Sequence, residues 1–244
     1  MNIIYNDDCF NIFSKIVDKS INLVCVDLPY SQTNCTWDSL IDLNKMWIEL
    51  KRIGKDNCQY VFFCTTKFGN KLINSNPKWF RYDIVWEKEN SVGFLNSNKQ
   101  PLRKHEMIYI FHNDKKSKDL SWVYNAQKTE GKPYKRKENI RKAEIYGRET
   151  IEKPVNNTGD RYPSSIIKYG YDKKKQHPTQ KPVLLCEWII KTYSNEGDTI
   201  LDFTMGSGST IVSCINTKRN YIGIEKDKDI FIKTKKRIEE HIII

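Results

Sequence analysis

No apolar run in this 244-residue sequence approaches the about 20 residues that a membrane-spanning helix needs. Residues 1–5 include neither a basic region nor a long apolar stretch, so we expect no secretory signal and no membrane contact. The seven cysteines form no CxxC pair and no Cys/His cluster, which argues against a structural metal. Their odd number and apolar neighbours predict reduced, buried thiols in a cytoplasmic compartment.

Motifs of several other protein classes are also missing. The sequence has no GK[ST] element for a P-loop, no PD…(D/E)xK endonuclease motif, no internal repeat and no evident helix-turn-helix. A hydrophobic content of 39% and an aromatic content of 12% argue against a wholly disordered chain. The length fits one domain, or one domain with a sizeable insertion.

Positive charge is concentrated in residues 112–175. This segment holds 17 Lys or Arg against 9 Asp or Glu, so it carries +8 of the net charge of +11. Aromatic residues are interleaved with the cations and hydrophobic periodicity is weak, which predicts an inserted, partly irregular segment. Cations that meet phosphates and rings that stack on bases favour a nucleic-acid surface. A solvated lysine-rich face explains the charge alone equally well.

Outside that segment, short apolar runs alternate with helical patterns. The runs that predict strands are 22–27, 59–64, 82–86, 106–111, 199–203 and 221–225. The patterns that predict helices are 43–53, 182–194, 209–216 and 230–241. This alternation predicts an α/β sandwich with a mainly parallel sheet, and the helix-free connection between 81–87 and 105–111 predicts an antiparallel edge hairpin.

Two glycines lie between a predicted strand and a predicted helix, in Asp202-Phe203-Thr204-Met205-Gly206-Ser207-Gly208. Glycine allows a tight turn there and lets a ligand approach the backbone beside the start of the helix. Glu225 ends the next strand, where a carboxylate accepts hydrogen bonds from both hydroxyls of a ribose, although a solvated acid is the alternative. The combination favours an adenosine-containing cofactor, while Ile211 in place of a third glycine disfavours NAD or FAD.

The turn Asp27-Leu28-Pro29-Tyr30 follows a buried strand, at the end of the strand where open α/β sheets bind ligands. Pro29 stiffens the turn, so the Asp27 carboxylate and the Leu28 carbonyl point together at one small group. Two adjacent acceptors suit an NH2 group, and the Tyr30 ring suits a flat heteroaromatic base. By itself the tetrapeptide is equally an ordinary turn with a buried tyrosine; the glycine turn makes it specific.

Taken together, these residues resemble the DNA amino-methyltransferases, which use S-adenosylmethionine (SAM) to methylate exocyclic amines of bases. The turn 27–30 is similar to their [DNS]-[PL]-P-[YF] catalytic motif, and residues 202–208 are similar to their Asp-Pro-Phe-x-Gly-x-Gly cofactor loop. The sequence HPTQKP at 177–182 resembles a motif that the family carries just upstream of that loop. The order of the motifs is that of the β group, whose circular permutation places the glycine turn near the carboxyl terminus.

The resemblance covers residues 1–111 and 176–232 and implies a Rossmann-like SAM-methyltransferase sandwich with permuted motif order. The catalytic domain would comprise 1–111 and 176–244, with 112–175 as the target-recognition region, which favours DNA contact for the basic insertion. Catalytic roles are implied for Asp27, Leu28, Pro29 and Tyr30. Cofactor-binding roles are implied for Asp7, Asp8, Cys9, Lys181, Asp202, Phe203, Thr204, Gly206, Ser207, Gly208 and Glu225.

Some positions keep more than one interpretation. Lys181 either neutralises the cofactor carboxylate or positions Asp27, a surface lysine being the alternative. Phe203-Thr204 replaces Pro-Phe in the cofactor loop, which predicts that an aromatic contact of the family is lost or shifted by one position. Leu28 stands where proline is commoner, which matters little because only its carbonyl is used. Trp37 and Trp86 either line the base pocket or pack in the core.

The resemblance implies methyl transfer from SAM to adenine N6 in double-stranded DNA, with the target base flipped out onto Tyr30. Aspartate rather than serine at position 27 favours adenine within the family. Cytosine-N4 and RNA methylation stay open, although RNA and protein-glutamine methyltransferases place the cofactor loop before the catalytic turn. A nicotinamide-dependent oxidoreductase and a non-catalytic DNA-binding module fit less well. A homodimer, the recognition sequence and the restriction, viral or regulatory context also stay open.

Overall fold

The computed structural model describes residues 2–30, 41–113, 122–137, 139–143, 148–173 and 180–243, with the backbone alone for 139–143 and 148–152. The described chain forms two compact units. The first comprises Met1–Asn125 and Ser165–Ile244, and the second comprises Ala126–Ser164. Predictions on Cys35, Trp37 and residues 177–179 lie outside the described residues.

All six predicted strands and all four predicted helices are present, and the described residues form further strands and helices that were not predicted. The strands are β1 (Asn2–Asn6), β2 (Ile21–Asp27), β3 (Gly54–Cys64), β4 (Phe80–Val92), β5 (Arg103–His112), β6 (Thr129–Glu130), β7 (Tyr134–Arg136), β8 (Asn139–Ala143), β9 (Arg148–Glu152), β10 (Val155–Asn157), β11 (Asp160–Arg161), β12 (Ile166–Tyr169), β13 (Thr199–Asp202) and β14 (Asn220–Glu225). The helices are α1 (Cys9–Phe13), α2 (Leu43–Ile53), α3 (Thr66–Ser75), α4 (Val183–Tyr193), α5 (Ser209–Asn216) and α6 (Lys228–Ile242). None of these helices is long and apolar enough to cross a membrane.

An eight-stranded sheet in the order β1-β14-β13-β2-β3-β5-β4-β12 organises the first unit. Strand β5 is antiparallel to β3 and β4, and the other neighbours are parallel. The predicted α/β class with a mainly parallel sheet is therefore confirmed. The antiparallel hairpin lies one strand in from the edge, because β12 pairs with the outer side of β4 and satisfies its backbone groups.

Two hydrophobic cores lie on opposite faces of this sheet. Neighbouring residues of β2 divide between them, since Val24 and Val26 belong to the core that contains α1, α2 and α3. Leu23 and Cys25 belong to the core that contains α4, α5 and α6. Side chains alternate across a strand, so burial on both faces requires the continuous apolar runs seen in the sequence. The six described cysteines are buried and free, as predicted.

The second unit contains three two-stranded antiparallel pairs, β7 with β10, β6 with β11 and β8 with β9. Cations stack on its aromatic rings: the Arg161 guanidinium lies 4.9 Å from the centre of the Tyr134 ring, and the Lys128 ammonium lies 4.9 Å from that of Tyr162. This unit contains fewer residues than the predicted insertion 112–175, because Ile166–Tyr169 in that range pairs with the main sheet.

Candidate active site

Three acidic residues end three neighbouring parallel strands of the first unit: Asp27 ends β2, Asp202 ends β13 and Glu225 ends β14. Parallel strands place their carboxyl ends at the same edge of a sheet, so the acids meet there. They line one cavity of about 990 Å³. Fourteen of the fifteen site residues named from the sequence line this cavity, the exception being Gly208.

The glycine turn between β13 and α5 is built around two left-handed backbone conformations, with φ of +49° at Gly206 and +76° at Gly208. A Cβ atom at Gly208 would lie 2.6 Å from the Thr234 side chain, so this glycine lets the turn pack against α6. The Thr234 hydroxyl donates a hydrogen bond of 2.5 Å to the Gly206 carbonyl. Gly208 therefore does not line the cavity; it affects the cavity by letting the turn pack against α6.

Glu225 is fastened to the same turn. Its Oε2 accepts the Gly206 N–H at 2.9 Å, and its Oε1 accepts the Asp227 N–H at 2.8 Å. Burial raises the pKa of Glu225, and the N–H groups of Asp227 and Gly206 oppose that rise. A carboxylate oxygen accepts two hydrogen bonds, so both oxygens have capacity for ligand hydroxyls.

The Asp7–Asp8 turn forms another wall of the cavity. Asp7 Oδ1 accepts the Asp8 N–H at 2.7 Å and the Asn11 side-chain amide at 2.8 Å. Asp8 caps α1 through the Phe10 N–H at 3.0 Å. Burial raises the pKa of the adjoining Cys9 thiol to about 12, so this cysteine is neutral and contributes packing rather than nucleophilic chemistry.

Asp27 is the first member of a buried chain of charges. The Tyr30 hydroxyl donates to its Oδ1, and the Lys181 ammonium donates to its Oδ2 at 2.5 Å. Lys181 also lies 3.0 Å from Glu106 Oε1, and the Lys88 ammonium lies 2.8 Å from Glu106 Oε2. The two carboxylates and two ammonium groups balance in charge, which offsets part of the cost of burying them.

The pKa values of Asp27, Lys181 and Glu106 determine which of these groups carry a proton. Burial raises the pKa of Asp27; Lys181 opposes the rise and Glu106 adds to it. Burial by itself would lower the pKa of Lys181, but the carboxylates of Asp27 and Glu106 outweigh it and raise that pKa. Burial also acts to raise the pKa of Glu106, but Lys181 and Lys88 outweigh it and lower that pKa. Lys181 stays charged, while Asp27 takes up a proton more readily than an ordinary aspartate.

Thr204 joins the glycine turn to the turn 27–30. Its hydroxyl donates to the main-chain carbonyl of Asp27 at 3.0 Å, and its N–H donates to Asp202 Oδ1 at 3.2 Å. Burial raises the pKa of Asp202 to about 7. The preceding Phe203 is buried and packs edge-on against Phe13, with ring centres 5.3 Å apart. The Phe203 ring thus lines the cavity and also packs in the hydrophobic core.

A family model described as DNA methylase, N6_N4_Mtase, matches residues 21–236. The chain belongs to this family of DNA amino-methyltransferases. Membership assigns S-adenosylmethionine as the methyl donor. The site fits such a cofactor, since the Asp7–Asp8 turn, the glycine turn and the Glu225 carboxylate surround one cavity of suitable size.

Curated relatives match the methylase along almost its whole length. It is 27% identical to the Type II methyltransferase M1.MboII of Moraxella bovis, over 94% of this chain and 93% of that protein. It is 26% identical to the Type II methyltransferase M2.DpnII of Streptococcus pneumoniae, over 97% of this chain and 89% of that protein.

Solved structures share the fold of the methylase. The M1.HpyAVI–SAM complex superposes with a TM-score of 0.67 at 24% identity, over 97% of this chain and 100% of that one. The PvuII DNA methyltransferase, titled cytosine-N4-specific, superposes with a TM-score of 0.64 at 14% identity, over 98% of this chain and 90% of that one. At these identities the likeness supports the Rossmann-like fold and leaves the choice of base open.

The structure adds site residues of the methylase that sequence reasoning missed. Glu106 and Lys88 both line the cavity, from β5 and β4. Trp86, for which the sequence left pocket and core as alternatives, is buried and also lines the cavity. Its indole N–H donates to the Tyr169 carbonyl at 2.9 Å. The sequence did contain a signal for Glu106 and Lys88, because each lies at or near one end of an apolar run that predicts a strand. Only the pairing of β4 with β5 brings both side chains to Lys181.

Proposed function

We propose that this methylase transfers a methyl group from SAM to the N6 amine of adenine in double-stranded DNA. The observation that carries the proposal is the position of Asp27. Its carboxylate lies at the carboxyl end of β2, held by Tyr30 and Lys181, in the cavity that the glycine turn also lines. The Asp27 carboxylate and the glycine turn thus face the same cavity. Methyl transfer between two bound molecules requires such proximity.

The chain's own residues activate the amine. The lone pair of an adenine amine is delocalised into the ring, which makes the nitrogen a weak nucleophile. The Asp27 carboxylate and the Leu28 carbonyl accept its two N–H bonds, which draws the nitrogen towards tetrahedral geometry and frees the lone pair. Positive charge that develops on nitrogen is stabilised by Asp27, whose side chain is fixed in advance, and it disappears when the methylated amine loses one proton to solvent. Bound SAM supplies an electrophilic methyl group on its sulfonium.

The target base leaves the duplex to reach this cavity. A base stacked inside a helix is out of reach of a carboxylate in a pocket, so the nucleotide flips out. Tyr30 offers a ring against which the base stacks. That ring is supported by Phe68, at 5.3 Å between centres, and by its hydroxyl bond to Asp27.

The choice of adenine rests on residue 27. Aspartate rather than serine favours adenine N6 within the family, and cytosine N4 is the alternative. Cytosine N4 is kept as the second candidate because the matching family model, N6_N4_Mtase, is named for both amines. The experiment below separates the two by the product.

We further propose that the basic segment 112–175 recognises the target DNA. Within it, Ala126–Ser164 forms its own compact unit, and its sequence has ten Lys or Arg against six Asp or Glu. Tyr162 in this unit is exposed and lies beside Lys128. Such cations contact phosphates, and such a ring stacks on bases or sugars.

Nucleoside mass spectrometry tests the reaction. Unmethylated genomic DNA is incubated with SAM and the wild-type protein, Asp27→Ala or Asp27→Asn. We expect N6-methyladenine from the wild type alone, with turnover lowered at least about 100-fold in both variants because the amine loses its charged acceptor. The asparagine variant keeps the size of the side chain but presents an N–H group towards the amine.

Calorimetry with SAM gives the control for this experiment, since both variants should keep their cofactor affinity. N4-methylcytosine as the product would mean that the enzyme methylates cytosine N4 instead of adenine N6. A wild-type protein that binds SAM yet modifies no DNA would contradict a DNA substrate.

A further inference from the structure

An exposed apolar tip joins β4 to β5. We define the apolar tip as residues 92–102, whose large apolar side chains all face solvent: Val92, Phe94, Leu95 and Leu102. Phe94 is 78% exposed and Leu95 is 97% exposed. Exposed apolar side chains occurring singly are ordinary, but four on one hairpin end form a patch that favours a binding surface.

The apolar tip has a defined backbone. Gly93 adopts a left-handed conformation with φ of +92° and starts a single helical turn, Phe94–Asn96. The Asn96 N–H donates to the Gly93 carbonyl at 2.9 Å, and the Ser97 N–H donates to the Phe94 carbonyl at 2.9 Å. These bonds hold Phe94 and Leu95 on a tight turn, so their projection into solvent costs little further ordering on binding.

The sheet places the apolar tip beside the active site. Strands β3 and β4 are both antiparallel to β5, so β4 ends at the edge where β2 and β3 end. Val92 at the end of β4 pairs with Arg103 at the start of β5, and both line the cavity that contains Asp27. Phe94 and Leu95 lie directly beyond this pair, at the rim of the cavity.

Charge around the apolar tip favours a polyanion. Residues 90–105 contain three Lys or Arg, at 99, 103 and 104, and no Asp or Glu. Arg103 lines the cavity, and six of the other residues in this range are Asn, Ser or Gln. Cationic and amide side chains contact phosphates and base edges, whereas an apolar wedge enters the base stack.

We infer that the apolar tip inserts Phe94 and Leu95 into the DNA duplex and fills the space that the flipped target base vacates. The inference rests on the proposed function. Flipping leaves an apolar gap between the neighbouring bases. Exposed apolar side chains that enter this gap lose their contact with water and pack against the bases on either side. The tip thereby stabilises the flipped state before any chemistry at Asp27.

Single-turnover methylation tests this inference on two duplexes containing the site modified by the wild type. In one, the target base is paired; in the other, it faces an abasic site and needs little energy to leave the stack. The variant is Phe94→Ser/Leu95→Ser, and the control is Ile48→Ser, an exposed apolar residue on α2. We expect the double variant to lose about tenfold or more in rate on the paired duplex and to recover most of it opposite the abasic site. The control keeps wild-type rates on both.

Equal losses of the double variant on both duplexes would overturn the inference, and so would an unchanged rate on the paired duplex. A shift in oligomeric state, seen by light scattering in the double variant but not in Ile48→Ser, would assign the tip to a second copy of the chain instead. The proposed function fails earlier and separately, if the wild type modifies no DNA site on which these duplexes could be built, so the two failures are distinct.

Discussion

The carboxylate of Asp27 owes its position to residues from distant parts of the chain. Tyr30 belongs to its own turn, Lys181 precedes α4, and Glu106 lies on β5. Lys181 bridges the two carboxylates, so Glu106 acts on Asp27 through Lys181 and by direct charge repulsion. Glu106 is therefore a positioning residue.

Replacement of Glu106 by Gln should lower kcat by about tenfold or more, because Lys181 loses one of the two anions that fix it. It should also move the acidic limb of the pH–rate profile to lower pH. The charge of Glu106 raises the pKa of Asp27, so its removal lets Asp27 stay ionised in more acidic solution. Among the described residues, the titratable groups that interact electrostatically with Asp27 are Tyr30, Cys64, Glu106, Lys181 and Asp202.

Glu87→Gln is the matched control for that profile. Glu87 lies on the same hairpin and pairs with Lys104 at 3.1 Å, but it does not line the cavity. Its variant should keep both the rate and the acidic limb. A Glu106 variant that loses rate without any movement of the limb would mean that Glu106 contributes only to folding.

At the scale of elements, the turn between β13 and α5 depends on packing as much as on its own sequence. Gly208 starts α5 in a left-handed conformation and contacts Thr234 of α6, while Thr204 binds the carbonyl that ends β2. The glycine turn is thus held by a helix from one side of the sheet and by the end of β2. Its shape is a property of three elements.

Gly208→Ala should lower SAM affinity about tenfold or more, since the new Cβ meets Thr234 and the left-handed backbone is strained. Gly197→Ala is the control, because Gly197 has a φ of +82° but a Cβ atom there would have no neighbour within 4 Å in the described part of the chain. The left-handed backbone should cost each variant about 1 kcal/mol of unfolding free energy. The contact with Thr234 should add to that cost in Gly208→Ala, and only this variant should bind SAM more weakly in calorimetry. Equal SAM affinities would show that the turn tolerates a shift of α6.

At the scale of the whole molecule, the sheet buries an acid between its two cores. Asp202 is buried at the end of β13, and its pKa of about 7 is raised from an ordinary value of 3.8. Between those two values the unfolded chain gives up this proton while the folded chain keeps it. The folded state then binds more protons, so the stability contributed by Asp202 falls as the pH rises through this window.

Asp202→Asn should remove that loss, because an amide stays neutral and its oxygen still accepts the Thr204 N–H. Relative to the wild type, the variant should gain stability with rising pH, approaching about 4 kcal/mol above pH 7. Urea unfolding without SAM at about pH 4 and about pH 8 measures the difference. An equal difference at both values would mean that Asp202 is ionised in the folded protein throughout.

Local pattern alone fixed much of the fold and the outline of the site. The range 43–53 of α2 and the range 209–216 of α5 agree with prediction, because one face of each helix is apolar at helical spacing. The acids at 27, 202 and 225 were readable because each ends a buried strand. Helix α3 was missed, since Gly69 interrupts its pattern; the structure shows that a Cβ there would lie 2.2 Å from Tyr109.

By itself, then, the sequence determined which strands are buried and that Asp27, Asp202 and Glu225 lie at or next to the carboxyl ends of three of them, since those properties depend on residues adjacent in the chain. Only the tertiary structure decided that Glu106 and Lys88 join Asp27 through Lys181, and that an apolar tip lies at the rim of the same cavity. It likewise placed β12 in the main sheet. Strand order and register are set by packing between distant segments, and no local periodicity records them.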